Sequence, residues 1–109
     1  MARILLSKFD EEWTQSLAEL FQREHHQVAI CSSGQSVLNI LERTKEPYEL
    51  LVLDVSADHE NAMKLVKQIK RFRLQCGNRL KVLCVSRVYR GPRFEFELEK
   101  EGARLVYVH

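Results

Sequence analysis

At 109 residues, 45% of them hydrophobic and 29% charged, the chain has the size and composition of one globular domain, expected to span 1–109. No apolar run approaches the ~20 residues that cross a bilayer. The start, MARILLSKFDEEW, turns acidic after a short apolar run, with neither a signal-peptide core nor a small-residue cleavage site. No membrane contact is expected, and the location expected is cytoplasmic. Net charge is only +2, and the three cysteines (Cys31, Cys76, Cys84) show no CxxC spacing, as thiols in a reducing compartment do.

In chain order, residues 3–6 read as a short buried strand. A helix follows in DEEWTQSLAELFQREHH, where Trp13, Leu17, Leu20 and Phe21 form one apolar stripe. Acidic residues open it, where the helix dipole favours negative charge, and His25-His26 are expected as its solvated end. QVAICSSG reads as a second strand stopped by Ser-Ser-Gly. A second helix carries Val37, Leu38 and Leu41 on one face and ends before Pro47. ELLVLDVS is a continuous apolar run of strand length, the pattern of a parallel strand buried on both faces. A third helix, residues 60–76, turns Ala62, Leu65, Val66, Ile69 and Phe72 one way and its lysines the other, with Gly77-Asn78 to end it. LKVLCVS is a fourth strand.

The tail has two readings. Phe94, Phe96 and Leu98 alternate with glutamates, which suits a strand and a hairpin. The preceding βαβαβαβ order suits a helix over 93–101 and a fifth parallel strand, and agreement among the other units favours it. The expected fold is α/β: a three-layer, doubly wound, five-stranded parallel sheet of flavodoxin-like type, without a helix after the last strand.

Charge is unevenly spread. Residues 61–94 carry ten basic side chains and no acidic one. Lys64, Lys67, Lys70, Arg71 and Arg73 make the third helix a candidate surface for an acidic partner. Nucleic acid is a weaker candidate, because aromatics barely interleave the tract. No metal-ligand spacing is visible: His25 and His26 are adjacent, and His59 and His109 stand alone.

In open parallel sheets, ligands and chemistry gather beyond the carboxyl ends of the strands. Here those ends carry Ser7-Lys8-Phe9-Asp10, Asp54-Val55-Ser56, Ser86-Arg87 and His109. Over essentially its whole length this arrangement resembles the receiver domains of two-component response regulators. Asp54 matches the family's phosphoacceptor, Ser86 its phosphoryl-bonding hydroxyl, and Gly102-Ala103 the pair before its fifth strand. The resemblance implies a signalling module with no catalytic turnover of its own.

The departures matter as much. Two adjacent acids that hold the family's divalent cation are replaced by Lys8 and Phe9, leaving Asp10 as the next acid. The family's lysine falls on His109. Its aromatic switch residue falls on Val106, with Tyr107 one place out and so on the opposite strand face. Magnesium needs hard oxygen ligands; Phe9 offers none, and Lys8 brings a competing charge. The expectation is a degenerate receiver with no cofactor and no magnesium. In it Lys8 pairs with Asp54, and phosphorylation is lost or metal-independent. Its partner would be a signalling protein, and a homodimer is expected through the sheet edge near RLVYVH. The alternatives are a working phospho-receiver using Asp54 and a nucleic-acid binder using the basic tract. A flavodoxin-type enzyme is more distant, because SKFDE lacks the small residues that cradle a flavin phosphate.

Overall fold

The computed structural model describes residues 1–7, 11–57, 59–76 and 79–108. Five strands alternate with four helices: β1 (Arg3–Ser7), α1 (Glu11–Arg23), β2 (Gln27–Cys31), α2 (Gly34–Arg43), β3 (Leu50–Asp54), α3 (His59–Cys76), β4 (Lys81–Ser86), α4 (Pro92–Lys100) and β5 (Ala103–Tyr107). All strand pairs are parallel, in the order β2-β1-β3-β4-β5. The order reverses between β1 and β3, the switch point at which open α/β sheets place their sites.

The strands sort their side chains by alternation. Leu5, Leu51, Leu53, Val82, Cys84 and Leu105 meet the apolar stripes of α2, α3 and α4: Val37 and Leu41, then Val66 and Ile69, then Phe94 and Leu98. Ile4, Leu6, Val52 and Val85 face the other way, towards α1 and Ala18. The continuous run of β3 is thus buried on both sides, as its composition implied. Among the described residues no helix is long and apolar enough to cross a membrane.

The ambiguous tail is a helix and a strand. Phe94 and Leu98, one turn apart, are buried, whereas Phe96 between them is 62% exposed. A strand would have buried all three together. Pro92 occupies the first turn, where a missing N–H costs nothing, and Arg93 reaches Glu97 at 3.2 Å. Gly102, at φ +84°, ends the helix in the left-handed conformation, and its N–H donates to Glu99 C=O at 3.0 Å. The residues that read as a hairpin loop are a helix terminus.

Two local expectations need correction. Leu20 belongs to the apolar stripe by spacing but is 50% exposed; Thr14 and Ala18 are the residues buried against the sheet. A stripe implies a second surface for its flank, and no described element covers it. His25-His26 is more than a solvated end. His25 takes φ 66°, terminating α1, and His26 Nδ1 accepts a hydrogen bond from Ala2 N–H at 3.0 Å. The imidazole also lies edge-on to Phe21, 6.3 Å between ring centroids. The expected stop at Gly77-Asn78 lies outside the described residues.

Candidate functional site

Beyond the carboxyl ends of β1, β3 and β4 lie Asp54, three serines and two arginines. Ser7, buried at the end of β1, accepts the Asp54 backbone N–H on its hydroxyl at 3.0 Å. The Asp54 carboxylate is half-buried, and its Oδ1 accepts the Ser56 N–H at 2.9 Å. This is an Asx-type turn: the acid ends the strand by satisfying a backbone donor that the ladder no longer pairs. Beside it lies a cleft of about 290 Å³, lined by Ser7, Gly34, Asp54, Ala57, Asn61 and Leu65 among others. Gly34 lets α2 start this close to α3, for a Cβ there would stand 3.0 Å from Leu65 Cδ2.

Ser86, fully buried at the end of β4, spends its hydroxyl on its own loop. It donates to Val88 C=O at 2.7 Å and accepts Val88 N–H at 3.1 Å. Both ordinary uses of a serine oxygen are thereby taken within two residues of sequence.

Ser56, which the sequence places at a strand end without a role, and Arg90, which it leaves in the basic tract, prove to join two loops. Ser56 ties the loop after β3 to the loop after β4. Its hydroxyl accepts Arg87 N–H at 3.0 Å, and its carbonyl accepts the Arg90 guanidinium at 2.6 Å. Arg90 Nε is buried without a hydrogen-bond partner. The Arg90 N–H points to the Tyr107 hydroxyl at 3.4 Å, and Tyr107 packs against Tyr89 with 5.2 Å between centroids. The Asp-x-Ser spacing was a signal for the turn at Ser56. Arg90 gave none, because the basic tract reads as solvated and a loop-to-loop contact leaves no periodic trace.

Lys8, Phe9, Asp10 and His109 lie outside the described residues, so the expected Lys8–Asp54 pair does too. Among the described residues, no three His, Cys, Asp or Glu side chains gather as metal ligands.

The basic face of α3 divides in two. Lys70 donates to Lys100 C=O at 3.3 Å and pairs with Glu101 at 3.5 Å, and Arg73 donates to Gly102 C=O at 3.4 Å. These two fasten α3 to the α4–β5 turn. Lys64, Lys67 and Arg71 remain exposed, the first two lining a cleft that Glu60, Glu97 and Glu101 also line. That mixture of signs weakens the case for a phosphate-binding groove.

Cys84 and Cys31 are buried. Burial pushes the Cys84 thiol up to about 12. It raises Cys31 as well, against a smaller lowering by its hydrogen bond with Ser36. Neither is poised as a nucleophile, since the thiolate is the reactive form.

No protein-family model matches the chain, and no curated protein is similar to it in sequence. Solved structures are similar in fold. A response regulator from Thermotoga maritima superposes with a TM-score of 0.78 at 18% identity, over 98% of this chain and 84% of that one. A CheY-like response regulator receiver domain from Methanospirillum hungatei gives 0.77 at 19%, over 99% and 80%. The Vibrio cholerae chemotaxis protein CheY4 gives 0.77 at 16%, over 99% and 85%. The chain has the fold of a response-regulator receiver domain.

Proposed function

We propose that this chain is a degenerate receiver domain: a protein-interaction module in signalling, held in one state, without magnesium-dependent phosphoryl transfer and without turnover. The observation that carries this reading is the engagement of the site's own groups. Ser86, at the position of the phosphoryl-bonding hydroxyl, is closed on Val88, and Arg87 and Arg90 tie the β4–α4 loop to Ser56. A receiver switches by moving such a loop and hydroxyl towards a phosphoryl group. Here that movement first has to break four hydrogen bonds, one of them charge-assisted. The sequence supports the same reading: Lys8 and Phe9 stand where the family has two metal-holding acids. Phosphoryl transfer depends on positioning and on cations neutralising the oxygens, and neither a lysine nor a phenylalanine offers the hard oxygen that holds a divalent metal. The partner is a signalling protein, met by the exposed Lys64, Lys67 and Arg71.

One observation favours the second reading, a working phospho-acceptor: the cleft beside the half-buried Asp54. Acetyl phosphate with magnesium separates the two. The degenerate receiver gains no mass, and beryllofluoride with magnesium leaves Trp13 fluorescence unchanged. A phosphoryl adduct that disappears in Asp54→Asn replaces this reading with the second.

A further inference from the structure

The strand order puts β2, which lies inside the chain between α1 and α2, at one edge of the sheet. β1 pairs it on one side, and among the described residues no strand pairs it on the other. Gln27 N–H donates to Ala2 C=O at 2.9 Å, so along this parallel ladder Gln27, Ala29 and Cys31 turn their backbone groups towards β1. Val28 and Ile30 turn theirs outwards. Exposed edges are usually blunted by lysine, proline or a bulge. The strand QVAIC has no charged residue and no proline, and its register with β1 runs unbroken from Gln27 to Cys31. A groove of about 400 Å³ lies beside this edge on the α1 side. Ile30, 50% exposed, is its apolar part. Its wall is an outer stripe of α1 at helical spacing: Glu11, Gln15, Glu19 and Gln22, all exposed. Among the described residues no cation lines the groove, and neither glutamate is ion-paired.

We infer that this edge takes an extended, basic segment of a partner protein as a further strand. The outward N–H and C=O groups of Val28 and Ile30 pair with the segment's main chain. Its side chains alternate, so every second one turns to the α1 side and enters the groove. There a lysine or arginine meets Glu11 or Glu19, and an apolar residue covers Ile30. In recognition of this kind, backbone bonds supply affinity and alternate side chains supply specificity. Charge selects the occupant. Antiparallel pairing of β2 with its own copy across a two-fold axis would set two acidic walls side by side, so like charges oppose it. A basic segment meets only opposite charge. The surface is also distinct from the exposed Lys64, Lys67 and Arg71 of α3, which carry the other sign and lie across the sheet.

Fluorescence anisotropy tests it, with the 109-residue chain titrated into a labelled, end-capped peptide that alternates lysine and valine. The expected result is saturable binding that weakens as salt rises. The Val28 and Ile30 amides should gain protection from hydrogen exchange when the peptide is bound. Glu11→Lys combined with Glu19→Lys should weaken binding by about tenfold or more, because it sets like charges together. Ile30→Lys should weaken it as well. Circular dichroism should be unchanged in both variants, since all three positions are exposed. The same peptide N-methylated at alternate residues keeps its charge, cannot pair as a strand, and should not bind. Absence of saturable binding overturns the proposal. So does equal binding of the N-methylated peptide, which would leave charge attraction alone, or binding indifferent to Glu11 and Glu19. Protection of Val28 and Ile30 that grows with chain concentration without peptide would give the edge to a second copy and overturn it too. None of these outcomes bears on phosphoryl transfer, so the degenerate-receiver reading stands or falls separately.

Discussion

The two faces of the sheet come from the same five strands and finish differently. On one, Val82, Cys84 and Leu105 meet three helices, and Phe94 and Leu98 close the layer completely. On the other, the next residues along the same strands, Leu83 and Val106, meet a single helix that stops short of them. The apolar character of the strands is alike on both sides. What differs is the number of described helices that cover it, three on the first face and one on the second.

The largest effect should come from the covered face. Phe94→Ala removes a fully buried ring between α4 and the sheet and should cost about 3–5 kcal/mol in urea denaturation. Leu17→Ala, on a half-buried flank of α1, should cost about 1–2 kcal/mol in the same measurement. Equal costs would mean that the second face is as well packed as the first. Val82→Thr places a hydroxyl in the covered core, where no partner awaits it, and should cost about 1–3 kcal/mol.

Cys84 gives the covered face a pH signature. Its thiol is raised from 9.0 to about 12 by burial, so the folded chain holds this proton more tightly than the unfolded chain. Stability from this group is complete below pH 9 and is lost as the pH climbs towards 12. Urea midpoints at pH 8, 10 and 11 should fall further in the parent than in Cys84→Ala. The same burial should keep Cys31 and Cys84 from reacting with a thiol reagent until the chain unfolds. Rapid native labelling of Cys84 would show that its core opens far more readily than its packing implies.

The loops above the sheet respond less. Arg90→Ala removes the guanidinium bond to Ser56 C=O, and with it a buried Nε that lacks a partner, so the net cost should be about 1 kcal/mol. The sharper readout is local. Hydrogen exchange at the Arg87 and Val88 amides, which donate to Ser56 and Ser86, should quicken in the variant while the β3 amides stay protected. Unchanged exchange would mean that the β4–α4 loop is held by its serine turn alone.

The sequence made legible whatever leaves a period or a stop. The strand β3 was plain from four apolar residues ending at Asp54, and α3 from its stripe. The helix α4 was ambiguous because Phe94, Phe96 and Leu98 satisfy a strand alternation while Phe94 and Leu98 also satisfy a helical turn; Pro92 and Gly102 decide it structurally. Leu20 was misplaced because a stripe says which way a helix is apolar, not how many neighbours it meets. Asp54 and Ser86 could be found because chain topology puts strand ends together. Arg90 could not, since its contact with Ser56 joins two loops 34 residues apart. Likewise the basic tract announced charge but not the carbonyls of Lys100 and Gly102 that engage Lys70 and Arg73.

The smallest expected effect is the most direct comparison of the two faces. Val106→Thr makes on β5 the same change that Val82→Thr makes on β4, in a strand paired with it. At Val106 the new hydroxyl reaches water, and threonine keeps the branched shape that a strand favours. Measured by urea denaturation, the cost should stay within about 0.5 kcal/mol. A Val106→Thr chain that loses as much folding stability as Val82→Thr would mean that Val106 is as well covered as Val82, against its 42% exposure.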